Sequence, residues 1–228
     1  MKKYKVLLFD FDDTLFDFSA SEKIALSRTF EHYGIPDTDE LHQMYIEENL
    51  AYWRGFEKGI YKNESDSVVR FKNLTERIGC TDIDYTEMCT YYIDELSTTA
   101  FPIENSPELL KNLSKKYDIY IVTNALKRVN DKRSAIGGIL PYIKGRFISE
   151  QIGISKPNKG FFDYCFDKIG LPPSQALLIG DSLVSDISGG SEYGIDTCWF
   201  NQKEKPNTLS VPVTYEIHSL WELEDIVK

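Results

Sequence analysis

The chain has 228 residues, 42% of them hydrophobic, and 36 acidic against 26 basic side chains give a formal charge of −10. That length suits a core domain carrying an insertion, and the apolar fraction suffices for a packed interior. The acid excess argues against a nucleic-acid polymer as partner, because neutralising phosphates needs a basic face.

No apolar run is long enough to span a membrane, and no membrane partner is expected. Lys2, Lys3 and Lys5 precede an apolar run of only four residues, too short for the core of a signal peptide. Cys80, Cys89, Cys165 and Cys198 form no CxxC pair and read as free thiols of a reducing compartment. His32, His42 and His218 lack metal-ligand spacing. A soluble, cytoplasmic protein is the expectation.

In chain order, Val6-Leu7-Leu8-Phe9 reads as a short buried strand of a parallel sheet. Asp10, Asp12 and Asp13 follow at its carboxyl end, where open α/β sheets bind ligands. Asp10 and Asp12 are one residue apart, and two charges about 4 Å apart repel by roughly 4 kcal/mol at an effective dielectric of 20. A cation, a shared proton or a chemical task would offset that cost. The plainer reading is a helix cap from Asp12 or Asp13.

Residues 17–99 are mostly helix-forming. Ser19 or Ser21 is placed to cap a helix through Phe30, stopped by Gly34-Ile35-Pro36. A second helix is expected over about Thr38–Arg54, with Gly55 and Gly59 interrupting it, then Val68–Gly79 and Tyr85–Leu96. Four such elements make a small bundle. Beyond Phe101 the pattern changes. A helix from Pro107 to Lys116 leads to a strand at Asp118–Val122 that ends in Thr123-Asn124. Helices over Ala125–Gly137, Lys159–Ile169 and Ile187–Tyr193 alternate with strands at Arg146–Ile148, Ala176–Ile179 and Thr197–Phe200. Alternation of this kind predicts an α/β fold, a doubly wound parallel sheet with an inserted all-helical domain. The expected boundaries are 1–16 and 100–228 for the core and 17–99 for the insertion.

Three strand ends carry polar groups: Asp10 with Asp12, Thr123 with Asn124, and Asp181 with Asp186 five residues on. The plain reading of Asp186 is a cap for the short helix that follows. Lys156 is followed by Pro157, which restricts it to extended backbone. It would supply positive charge to a carboxylate cluster.

These residues give the chain a resemblance to the haloacid dehalogenase-like hydrolases over nearly its whole length. Asp10-Phe11-Asp12-Asp13-Thr14, Thr123, Lys156-Pro157, and Gly180-Asp181 with Asp186 match the four motifs of that family in order. FDDTLFDF, IVTN, ISEQIGISKPNKGFFDY and GDSLVSDISGG look closest to the pyrimidine 5′-nucleotidase branch, with Ala125 where relatives usually have Gly.

The resemblance implies a helical cap and a Mg²⁺-dependent phosphatase acting on a small phosphate ester, nucleoside monophosphates first. It implies Asp10 as nucleophile and Asp12 as acid and base. Thr123, Asn124 and Lys156 would bind phosphate, and Asp10, the Asp12 carbonyl and Asp181 would hold Mg²⁺, with Asp186 orienting them. Trp53, Arg54 and Phe56 are candidate specificity residues overhanging the site. An acid at Asp12 favours ester hydrolysis over dehalogenation. Phosphatase or mutase action on sugar phosphates, a phospho-signalling receiver and a silent binding module are the alternatives.

Overall fold

The computed structural model describes residues 3–61 and 64–228; Met1, Lys2, Lys62 and Asn63 lie outside them. The chain folds as two compact units. One comprises Met1–Phe18, Phe101–Lys127 and Gly137–Lys228. Its strands are β1 (Val6–Phe9), β2 (Asp118–Thr123), β3 (Gly145–Ile148), β4 (Ala176–Gly180), β5 (Asp196–Phe200) and β6 (Tyr215–Ile217). They form one sheet in the order β3-β2-β1-β4-β5-β6, every pair parallel.

β1 is central and its four residues are all buried, as a continuous apolar run without alternation requires. Phe9 pairs with Ile121 on one side and Ile179 on the other, so β1, β2 and β4 end side by side. The order reverses direction at β1, which opens a crevice beyond the carboxyl ends of these strands. One face of the sheet packs Val6, Leu8, Val122 and Leu178 against Phe161, Phe162 and Cys165.

The second unit comprises Ser19–Ala100 and Arg128–Ile136. Its helices are α1 (Phe18–His32), α2 (Asp39–Glu57), α3 (Val69–Ile78), α4 (Tyr85–Leu96) and, from later in the chain, α6 (Lys127–Ile136), which follows α5 (Ser106–Leu113). The stretch Arg128–Ile136 was expected with the sheet. It joins the helices because Arg133 donates to the Thr99 carbonyl at 3.1 Å and Arg128 pairs with Asp94 at 2.6 Å. Tyr45, Phe71 and Tyr92 form a buried aromatic triangle with centroids 5.1–5.2 Å apart. Beside it Arg70 is buried, donating to the Asn49 Oδ1 at 2.8 Å, while Asn49 donates to Glu22 at 2.7 Å.

Several expectations change. α1 starts at Phe18, ahead of Ser19, and Ser21 is buried within it, receiving Arg133 at 3.4 Å. Gly55 does not interrupt α2: it lies inside the helix, and its lack of a side chain leaves room for the Tyr61 ring, which a Cβ there would meet at 2.5 Å. Only Gly59, with φ 72°, ends the turn. Tyr45 and Tyr52, as aromatic side chains of a small bundle should, pack in the unit's own interior. α5 stops at Leu113, three residues before Lys116.

The remaining helices are α7 (Ser149–Ile152), α8 (Lys159–Ile169), α9 (Gly189–Tyr193) and α10 (Leu223–Ile226). α7, β6 and α10 had no expected counterpart. Among the described residues no helix is long and apolar enough to cross a membrane.

Candidate active site

The loop after β1 is built by its own backbone. The Asp10 N–H continues the ladder to the Ile179 carbonyl at 2.9 Å, and the Leu15 and Phe16 N–H groups return to the Phe11 carbonyl at 3.0 and 3.1 Å. Phe11 is fully buried and packs on Phe16 at 4.7 Å, so the residue between Asp10 and Asp12 anchors the turn. Asp13 takes a left-handed conformation, φ 56°, and its Oδ1 accepts the Phe18 N–H at 3.0 Å. Asp13 therefore serves locally, holding the first N–H of the helix that follows from within the turn, and Asp and Asn tolerate positive φ better than most residues.

Lys156 is the hub. Its side chain is 1% exposed, and its Nζ donates to Asp10 Oδ1 at 2.7 Å, Asp186 Oδ1 at 2.7 Å and the Val122 carbonyl at 2.8 Å. An ammonium has three donors, and all three are engaged. The expected phosphate contact of Lys156 thus has no free N–H here; the lysine instead joins Asp10 to Asp186.

Asp186 does not cap α9. It is fully buried in a π-helical turn, Leu183–Ser188, whose wider spacing carries it back to the end of β4. Its Oδ2 accepts the Ser182 N–H at 3.2 Å. Gly180 makes room for it: a Cβ there would lie 2.3 Å from that oxygen. Asp181 is held through its main chain by the Trp199 indole, at 2.9 Å, and its Oδ1 receives the buried Thr14 hydroxyl at 3.5 Å. Thr14 and Gly180 carry this geometry from within the motifs, whereas Trp199 stood in the sequence only as part of a strand and gave no chemical signal.

Thr123 ends β2 and is 1% exposed. The Asn124 side chain, expected on phosphate, is bonded twice to the Lys156 main chain at 2.9 Å. Any phosphate contact from Asn124 therefore falls to its backbone. Ala125 is not among the residues with positive φ, so its methyl is accommodated where a glycine is usual. Trp53, Arg54 and Phe56 lie in the helical unit near the end of α2, Trp53 and Phe56 half-buried at 5.3 Å from each other and Arg54 exposed.

Carboxylate oxygens of Asp10, Asp181 and Asp186 lie within 4.8 Å of one another. Burial pushes the Asp10 carboxyl well up, against the pull of Lys156, and Asp186 and Asp181 push it further. Burial, then Asp186 and Asp13, raise Asp181 to about 7. Lys156 is held charged: Asp10 and Asp186 outweigh its desolvation. Lys156 thus pairs with two of the three carboxylates, Asp10 and Asp186, and all three are hard oxygen donors of the kind that hold Mg²⁺. The donor set fits a divalent cation, with Asp181 the carboxylate least served by the protein's own donors.

A family model described as haloacid dehalogenase-like hydrolase matches residues 4–194. YfnB of Bacillus subtilis (strain 168), a HAD-hydrolase by name, is 40% identical over 230 residues, covering 100% of this chain and 97% of YfnB. A crystal structure of YfnB bound to magnesium superposes with a TM-score of 0.92 at 38% identity, covering 100% of both chains. The pyrimidine 5′-nucleotidase PynA of Streptococcus pneumoniae (strain ATCC BAA-255 / R6) is 35% identical, covering 97% of this chain and 94% of PynA. For the pyrimidine 5′-nucleotidase YjjG of Escherichia coli (strain K12) the identity is 30%, covering 99% and 98%. With the model reaching from the first strand past Asp186 and these relatives aligned along nearly their whole lengths, the chain belongs to the haloacid dehalogenase-like hydrolase family.

Proposed function

We propose that this protein hydrolyses small phosphate monoesters through a phosphoryl group carried on Asp10, with pyrimidine nucleoside monophosphates as its first substrates. The observation that carries the reading is the Lys156 bridge from Asp10 to Asp186 beside Asp181, at the switch point of the sheet. The names of PynA and YjjG support the substrate class.

Lys156 fixes Asp10 Oδ1, which leaves the second oxygen of that carboxylate to attack phosphorus. The P–O bond to the leaving group breaks as Asp12 gives it a proton. Asp12 then takes a proton from the water that attacks the phosphoryl group, and the Asp10–phosphorus bond breaks to release inorganic phosphate. The Thr123 hydroxyl binds a non-bridging oxygen, and the fixed charge of Lys156 lowers the cost of crowding anions into the crevice. Mg²⁺ would be held by Asp10, the Asp12 carbonyl and Asp181, while Asp186, engaged by Lys156 and Ser182, orients them. When bound, it supplies positive charge against the phosphoryl oxygens.

Specificity is assigned to the helical unit acting as a cap, with Trp53, Arg54 and Phe56 as its candidate contacts. A phosphate-release screen over nucleoside monophosphates, sugar phosphates and phosphoglycolate, with and without Mg²⁺, tests the reading. Fastest release from pyrimidine nucleotides with Mg²⁺ is expected. Release from no ester overturns it, and release from sugar phosphates alone overturns the substrate class.

A further inference from the structure

The Asn124 amide makes both of its side-chain hydrogen bonds to the main chain of one residue. Its Oδ1 accepts the Lys156 N–H at 2.9 Å, and its Nδ2 donates to the Lys156 carbonyl at 2.9 Å. The pairing fixes the orientation of the amide, since exchanging its oxygen and nitrogen would set donor against donor and acceptor against acceptor. A neighbouring strand would offer the same donor and acceptor from its backbone. Here a side chain does so, one residue past the end of β2.

The same strand end holds the other extremity of Lys156, because the Val122 carbonyl accepts its Nζ at 2.8 Å. Val122 and Asn124 therefore grip one lysine at its two ends, main chain and ammonium. Between those grips runs a flexible side chain with several rotatable bonds, and its remaining two N–H groups reach Asp10 and Asp186. A shift of the main chain would be passed to the ammonium and so to the Asp10 carboxylate. Glu150 pins the following residues independently, accepting the Lys127 N–H at 2.7 Å.

We propose that Asn124 is a positioning residue whose side chain holds the Lys156 main chain so that the ammonium bridges Asp10 and Asp186, and that it does not bind phosphate through that side chain. The kinetic consequences rest on the phosphatase reading above; the contact itself does not. A side chain that bound phosphate would act independently of Lys156. One that acts through Lys156 loses its effect when the lysine is removed.

The test is a double-mutant cycle, Asn124→Ala with Lys156→Ala, assayed with uridine 5′-monophosphate and p-nitrophenyl phosphate at saturating Mg²⁺. Asn124→Ala is expected to lower kcat at least about tenfold with KM within about threefold, and to cost less than about threefold in the Lys156→Ala background. A second readout needs neither substrate nor metal. In ¹H–¹⁵N spectra of the metal-free protein the Lys156 ammonium, identified by its loss in Lys156→Ala, gives a slowly exchanging signal. Asn124→Ala is expected to speed that exchange at least about tenfold. Asn124→Asp keeps the size and the acceptor but loses the donor, gives an intermediate exchange rate, and carries the comparison if the alanine variant does not fold.

The proposal is overturned if Asn124→Ala raises KM alone, if its full loss recurs without Lys156, or if the ammonium signal is unchanged. Should the wild-type protein release no phosphate from any ester, the phosphatase reading falls while the ammonium signal still decides the clamp.

Discussion

At the scale of single residues, the site is a problem in placing charge. Asp10, Asp181 and Asp186 crowd their oxygens within 4.8 Å, and one buried ammonium pairs with Asp10 and Asp186. Removing a partner from such a set leaves an uncompensated buried charge, which is why each position is so constrained. Gly180 shows the tolerance most directly, since a methyl there would lie 2.3 Å from Asp186 Oδ2 and 2.4 Å from its carboxyl carbon. Both contacts are far below van der Waals distance, so the carboxylate must move and Lys156 with it. Gly180→Ala is expected to lower kcat/KM about a hundredfold, the scale of loss from roughly 1 Å of misplacement, while far-ultraviolet circular dichroism stays native. Activity within about threefold of wild type would show that the Asp186 position is not critical. Asp10, Asp181 and Lys156 were legible as types at strand and loop ends. That all three lysine donors are engaged was not, because sequence spacing fixes neither side-chain direction nor hydrogen-bond partner.

Among the elements, strands were easier to read than the helical interior. The apolar runs at Val6–Phe9 and Ala176–Gly180 have no polar positions to confuse them, and a strand buried on both faces needs none. The Tyr85–Leu96 and Lys159–Ile169 helices were expected at those bounds, where Asp84 and Asn158 cap the first turns and Gly170 ends the second. Gly55 misled because a glycine in a helical pattern looks like a break until the ring that needs its space is known. β6 lacks a periodic signal, although Ser219 and Glu222 form a capping box ahead of α10.

The helical interior hides its own polar core: Arg70 contacts Ser67, Asn49 and the faces of Tyr45, Tyr52 and Tyr92. Nothing in the spacing of an arginine on a mostly polar helix announces its burial. Arg70→Ala leaves Asn49 Oδ1 and the Ser67 carbonyl without this donor and opens a cavity between rings. We expect a loss of about 3 kcal/mol in urea unfolding of the helical unit. Lys72→Ala on the same helix, exposed and 4.0 Å from Glu76, should cost less than about 0.5 kcal/mol. Equal effects from the two would remove Arg70 from the core's support.

At the scale of the molecule, the order β3-β2-β1-β4-β5-β6 explains why distant motifs meet. Residues 10, 123 and 181 are far apart in the chain, yet β1, β2 and β4 are neighbours and end together. Alternation of strands and helices made that sheet legible. It did not reveal that Arg128–Ile136 leaves the sheet's unit for the helices, because α6 follows β2 as a crossover helix would. Arg133 and Arg128 tie it to the helices, through Thr99 and Asp94 more than thirty residues upstream. The formal charge of −10 is consistent with a site that collects carboxylates, but ordinary solubility needs the same balance.

On this mechanism Asp10 carries the phosphoryl group. Rapid acid quenching during turnover with Mg²⁺ and a pyrimidine nucleoside monophosphate, followed by peptide mass spectrometry, detects it. A phosphoryl group on the peptide bearing Asp10, absent in a folded Asp10→Asn variant that no longer turns over, is the predicted result. Turnover by Asp10→Asn near the wild-type rate, or a phosphoryl group trapped on another residue, would contradict it.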